Sequence, residues 1–260
     1  MNKVFKKIRS ILRYSFLSIC GSIKTPSPCI HILNGHGLRN NAKDKDKFRE
    51  LLKNLSKTSQ LVDFNDAVSM IKSQVKVDRP HIAFTFDDGF SECYEVFAPI
   101  LEEFGIRACF FINPNYASGD RQYIINFNTN NVHNPGKLPM TWKQIEELSN
   151  RGHIIGAHTL DHGMINNGDL NWVKHQIEDC KEIIQEHTGK PCEYFAFPYG
   201  RLDHASTESI QIACKKYRYV FSQSDYENYF SFGGSVLNRR HFEPDWPISH
   251  VMYFLSVNRK

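Results

Sequence analysis

The sequence predicts an α/β fold, a parallel sheet with helices packed outside it. Three observations predict it. From residue 80 onward, short runs rich in aromatic and β-branched residues alternate with segments of helical spacing. Gly and Pro punctuate the junctions. Polar residues able to do chemistry follow directly after apolar runs, where a parallel sheet gathers its functional groups.

Residues 81–86, ending in Asp87-Asp88-Gly89, read as a strand and turn. Residues 91–104 carry Tyr94, Phe97, Ile100, Leu101 and Phe104 at helical spacing, closed by Gly105. Residues 107–112 are a buried strand. Residues 113–140, full of Asn, Pro and Gly, read as one long loop. Thr141 caps a helix through Leu148, and residues 153–157 form the next strand. A long helix over 171–187 stops at Gly189 and Pro191. A strand at 193–197, a helix at 203–216 and a strand at 217–222 follow. After a polar loop at 223–235 comes a strand at 236–242, and Pro247 opens a last short helix. Earlier, residues 29–33 read as a strand, with helices near 45–55 and 65–72. About seven such units are enough to close into a barrel, and an open doubly wound sheet is the alternative. There is no internal repeat or low-complexity linker, so a basic segment over 1–25 leads into a single domain over 26–260.

The 260 residues carry a net charge of +4, too small an excess to imply nucleic-acid binding. Seven Cys, an odd count without a CxxC pair, point to a reducing compartment rather than a disulfide framework. Lys3, Lys6, Lys7, Arg9 and Arg13 precede a short apolar stretch broken by Ser and Gly. That stretch lacks a clear cleavage site and the ~18 apolar residues of a spanning helix. The expectation is an uncleaved cytoplasmic segment touching anionic lipid peripherally; an export signal is the alternative.

Three segments carry chemistry. In Thr85-Phe86-Asp87-Asp88-Gly89 two adjacent carboxylates follow a buried strand, and a cation nearby would offset their repulsion and desolvation. The bland alternative is a pair of helix caps for the segment near Ser91. In His158-Thr159-Leu160-Asp161-His162 the imidazoles stand at i and i+4, a spacing that suits a divalent metal. Two His plus a carboxylate match a catalytic zinc set and equally a non-haem iron triad. In Phe197-Pro198-Tyr199-Gly200 a tight turn is placed to aim backbone N–H groups at an oxyanion, or is an ordinary loop.

Together, in this order and each at a strand end, these segments resemble the polysaccharide deacetylase family, the NodB-homology domain or carbohydrate esterase family four. The resemblance covers roughly residues 80–242. It implies a distorted (β/α) barrel and hydrolysis of N-acetyl groups on amino sugars. By the same resemblance Asp87 is the general base, and Asp88, His158 and His162 hold a divalent metal, usually Zn. The Tyr199 N–H belongs to the oxyanion hole, and Pro198 and Tyr199 contact substrate. Such a metal polarises the carbonyl and lowers the pKa of its water from about 15.7 toward ~7.

The chain departs from the family pattern twice. The third motif often carries an Arg that orients the base, and Ala196 stands there instead. Leu237-Asn238-Arg239 resembles a later strand of relatives that also lack it, so Arg239 is expected to supply the guanidinium. No clear Leu-x-His motif supplies the general acid; His241, on the strand face of Arg239, is the candidate, ahead of His250. His153 is expected to have no role. Tyr116, Trp142 and Trp246 are either sugar-stacking or core residues. The expected activity is N-deacetylation of a glycan or precursor in cell-surface polysaccharide biosynthesis. The alternatives are a silent sugar-binding protein that kept the metal site and an O-acetyl esterase.

Overall fold

A computed structural model describes residues 3–38, 41–166 and 168–260. Ten strands form one sheet: β1 (Ile30–Gly35), β2 (Gln60–Leu61), β3 (His81–Phe86), β4 (Cys109–Ile112), β5 (Ile154–Ala157), β6 (Tyr194–Ala196), β7 (Tyr219–Ser222), β8 (Phe230–Ser231), β9 (Val236–Asn238) and β10 (Arg240–His241). Their order is β10-β1-β3-β4-β5-β6-β7-β9-β8, with β2 beside β3. Only β8 with β9 is antiparallel.

β9 and β10 are one stretch of chain that changes partner at Arg239. Asn238 pairs with Ser222 of β7, and His241 pairs with Asn34 of β1. One segment therefore touches both ends of the strand order and curls the sheet into a distorted barrel, not an open doubly wound sheet.

Alternation along β3 sorts side chains between two layers. Ile82, Phe84 and Phe86 face the outer helices, where Phe86 stacks on Phe97 at 4.2 Å and meets Phe48 edge-on. Ala83 faces inward with Ile30, Ile32, Cys109, Phe111, Ala196, Phe221 and Leu237. The helix Phe64–Lys72 adds Phe64, Ala67, Val68 and Ile71 to that inner core. Its Phe64 N–H donates to the Arg107 carbonyl, just before β4. It therefore lies at the end of the barrel remote from the strands' carboxyl ends, where the chemistry sits.

The expected loop at 113–140 is instead partly helical, with helices Pro114–Ser118 and Arg121–Asn126 and a wide turn Phe127–Asn131. Asp120 caps the second by accepting from the Tyr123 N–H at 2.8 Å, and Tyr116, Phe127 and Phe90 form a small core of their own. Asn and Gly content hid this, because the apolar residues are too few to show a period. The expected strand 236–242 is split at Arg239. Thr141 does cap its helix, in a reciprocal capping box with Gln144. The first helix, Lys3–Ser22, packs on the last, Ile248–Leu255.

Phe86→Ala removes the ring at the centre of this outer cluster. It is expected to lower stability by about 3–5 kcal/mol, read as a lower urea midpoint with unchanged slope.

Candidate active site

Ala83, Thr85 and Asp87 share one face of β3 and its extension, so Asp87 points into the barrel mouth. There it meets Arg239. The guanidinium donates twice to the carboxylate, Nη1 to Oδ1 at 2.7 Å and Nη2 to Oδ2 at 2.9 Å. Asn34 donates to Oδ2 at 3.0 Å, while its own Oδ1 accepts from Arg239 and from the Thr85 hydroxyl. Arg239 also lies over the Phe111 ring at 4.8 Å. Burial opposes ionisation of Asp87, but the Arg239 charge, helped by His158, holds its carboxyl well below the usual carboxylate range.

Asp88 turns the other way because its backbone is left-handed, with φ of 73°. Its Oδ1 lies 3.4 Å from Nε2 of His162 and 3.7 Å from Nε2 of His158. All three side chains are buried, and one ligand atom of each falls within 4.8 Å of the others. Their chemistry fits a divalent metal. Asp88 Oδ1 and His162 Nδ1 have no hydrogen-bond partner among the described residues. His158 Nδ1–H donates to the Ala196 carbonyl at 2.8 Å, which leaves the Nε2 lone pair facing the site. Burial pushes the His158 imidazole down to about 4 and His162 further, so both are neutral, as ligands must be. Burial, with the Asp87 and Glu243 charges against the pull of His36, pushes Asp88 up to about 7.

A second cluster stands across the mouth. Glu243 Oε1 lies 3.2 Å from His36 Nδ1 and 3.3 Å from His241 Nε2. These three are also spaced for a metal, but each imidazole already faces the carboxylate, so the Asp88 set is the better receptor. Burial lowers both imidazoles; for His36 the hydrogen bond to Glu243 and the charges of Asp88 and Asp87 outweigh it and raise it to about 9. His241 stays below its ordinary value. The sequence reading missed His36 and Glu243. His36 follows β1 just as Asp87 follows β3, and that position was its only signal.

Tyr199 projects beside His162, ring centroids 4.7 Å apart, and its backbone is left-handed, φ 61°. Its N–H donates to nothing among the described residues. Of the two residues expected to contact substrate, Pro198 is buried below the turn and does not line the cavity, whereas Tyr199 does. The cavity is about 290 Å³ and is lined by His36, Asp87, Asp88, His158, His162 and Tyr199 among others. His250 is remote, bonded to Ser18 of the first helix. His153 bridges the Ala108 N–H and Glu102. Tyr116 is core, and Trp142 stacks on His187. Trp246 packs edge-on against His241, centroids 5.3 Å apart.

A carboxylate kept ionised beside imidazoles kept neutral, at the carboxyl ends of a (β/α) barrel, is the equipment of a hydrolase. The polysaccharide deacetylase family model matches residues 74–217, more than half of the chain, and the chain belongs to that family. A Bacillus subtilis protein, YxkH, named among polysaccharide deacetylases, is 22% identical over 146 residues, 56% of this chain but 46% of that protein. The match thus spans about half the length of that curated relative. Among solved structures, IcaB from Ammonifex degensii has a TM-score of 0.70 at 18% identity, covering 90% of this chain and 99% of that one. A Streptococcus pyogenes deacetylase, PplD, in complex with acetate gives 0.66 at 17%, covering 89% and 99%. A de-N-acetylase from Aggregatibacter actinomycetemcomitans gives 0.62 at 16%, covering 87% and 98%. At these identities the likeness is one of fold.

The buried imidazoles set a pH dependence for the metal-free protein. His31, His153, His158 and His162 are all lowered, to between about 3 and about 4 where a value is defined. Below the ordinary value of roughly 6.5 the unfolded chain takes up protons that the folded chain refuses, so stability falls as pH falls toward about 4. Asp88 opposes this, since folded it gains its proton near pH 7. His36, raised to about 9, opposes it too, but the stability it adds as pH falls comes mostly above roughly pH 6.5. Below that the four lowered imidazoles outweigh Asp88, so the urea midpoint in chelator is expected to drop between roughly pH 6.5 and 4.5. A flat profile there would contradict neutral imidazoles at the site.

Proposed function

We propose that this deacetylase hydrolyses the N-acetyl group of an amino sugar, with Asp87 as general base and His36 as general acid. The observation that supports this is the single cavity lined by the clamped Asp87, the Asp88–His158–His162 set and His36. Asp88, His158 and His162 would hold a divalent ion, zinc by donor type, which when bound polarises the acetyl carbonyl and acidifies water. Asp87, oriented by Arg239 and Asn34, takes the proton from the attacking water, a contribution of about 10²–10⁴ in rate. The free Tyr199 N–H donates to the developing oxyanion, worth about 2.7–4 kcal/mol. His36, held by Glu243, gives its proton to the leaving nitrogen. His241 lines the same cavity but is lowered by burial, so the proton transfer is assigned to His36.

Protonated His36 also favours an amide over an ester. An amine leaves only after it gains a proton, whereas a sugar hydroxyl leaves more readily without one. The fold neighbour from Aggregatibacter actinomycetemcomitans is a de-N-acetylase, in line with that preference. A cavity of about 290 Å³ has room for one sugar residue and its acetamido arm. A glycan or glycan precursor of cell-surface polysaccharide assembly is the substrate class we favour.

The test is acetate release from N-acetylglucosamine oligomers, with and without chelator. Chelation is expected to abolish it. Asp87→Asn is expected to cut turnover by about 10²–10⁴ with zinc content unchanged by plasma mass spectrometry, whereas His162→Ala loses the zinc. Wild-type turnover in Asp87→Asn would refute the reading, and no acetate from any N-acetyl sugar would leave a binding protein. His36→Gln is expected to slow N-acetyl hydrolysis more than O-acetyl ester hydrolysis and to remove the alkaline limb of the pH profile. His241→Gln is expected to keep that limb; the reverse result would move the acid to His241.

A further inference from the structure

The first helix, Lys3–Ser22, has two apolar faces. One is used. Leu17 is buried, Tyr14 meets His250 edge-on at 4.7 Å, and the Ser18 hydroxyl bonds His250 at 3.0 Å. Gly21 lies so close to the last helix that a Cβ there would sit 1.8 Å from the Ser249 carbonyl oxygen. These four residues fix the helix against Ile248–Leu255.

The other face is largely bare; of its side chains, Phe16 meets a ring of the last helix, edge-on to Tyr253 at 5.6 Å. Phe5, Ile8, Leu12, Phe16 and Ile19 follow the i, i+3, i+4 rhythm and form a stripe roughly 80° wide, about 180° from the packed side. Phe5 is 69% exposed, Leu12 65% and Ile19 70%. Arg9 and Arg13 flank the stripe on one side. Lys3, Lys6, Lys7, Arg9, Arg13 and Lys24 are clustered in this part of the sequence, and its first acidic residue is Asp44. No helix among the described residues is long and apolar enough to cross a membrane.

We infer that this face docks on an anionic lipid surface, with the helix lying in the interface plane. An apolar stripe edged on one side by Arg9 and Arg13, in a stretch without an acidic residue before Asp44, is what such a surface selects: the stripe enters the acyl boundary and the cations meet lipid phosphates. A protein partner or a second copy has no such need for one-signed charge. The docked helix is one side chain from the site. Trp246 lines the same cleft as Arg13 and Tyr14, and its ring packs on His241. The deacetylase thus works where membrane-borne glycan is presented.

The test is co-sedimentation of the full chain with vesicles. Binding is expected to vesicles of phosphatidylglycerol mixed with phosphatidylcholine, to weaken as salt rises, and to be at least about tenfold weaker to phosphatidylcholine alone. The double variant Leu12→Glu/Ile19→Glu, which leaves the packed side intact, is expected to lose at least about tenfold in affinity for anionic vesicles with an unchanged thermal midpoint. Equal binding to both vesicle types, no binding, or retention by the double variant overturns the inference. So does a dimer in vesicle-free buffer that the double variant dissociates, since the stripe would then be an interface between copies.

Discussion

Asp87 and Arg239 meet where the last strand segment leaves β7 for β1, both shut off from solvent. Removing two charges from water costs several kcal/mol each, and only good geometry with further hydrogen bonds offsets it. Here the guanidinium is bidentate, Asn34 and Thr85 accept further bonds from its Nη1, and Phe111 lies against the cation, while Nε has no partner among the described residues. Asn34 comes from β1, Thr85 from β3, Phe111 from β4, and Arg239 from the closing segment. Curling the sheet and orienting the carboxylate are therefore one event. A register slip in any of these strands breaks the network, so the site is specified to the same degree as the barrel.

That clamp has a chemical consequence. A carboxylate held far below its ordinary range is a weak base toward ordinary water. It becomes useful beside groups built to hold a divalent ion: Asp88 is the next residue, and His158 and His162 follow β5, two strands along. The two adjacent carboxylates are pulled apart by their surroundings, Asp87 down by a guanidinium and Asp88 up by burial. Backbone shape does the rest. Asp88, Thr159, His162 and Tyr199 all adopt left-handed conformations that non-Gly residues avoid. Such strain at successive strand ends aims the side chains and is held by the packed barrel beneath.

Much of this was legible in the sequence because it is local. β3 and its Asp-Asp-Gly turn, the capped helix after Thr141 and the i, i+4 imidazoles each express a short-range rule. The companion of Asp87 was legible only through the family resemblance, which pointed from Leu237-Asn238-Arg239 to the missing guanidinium. What was not legible is non-local. The split of β9 from β10 depends on which strands flank it, and no pattern within residues 236–242 records that. The helices in 113–140 rest on a three-ring core with Phe90, brought together only by folding.

His36 is the instructive miss. A lone His after Asn34 and Gly35 carries no motif, and its meaning comes from Glu243, some two hundred residues on. The register makes the link inevitable: Asn34 pairs with His241, so His36 and Glu243, each two residues further along, emerge side by side at the barrel mouth. A carboxylate between two imidazoles there cannot serve both equally. The hydrogen bond to Glu243, with the charges of Asp88 and Asp87, raises His36 above its ordinary value, while burial lowers His241. Had closure used a different register, the same three residues would have been an ordinary surface cluster. The same fusion of closure and chemistry that positions the carboxylate therefore also selects which imidazole carries the proton.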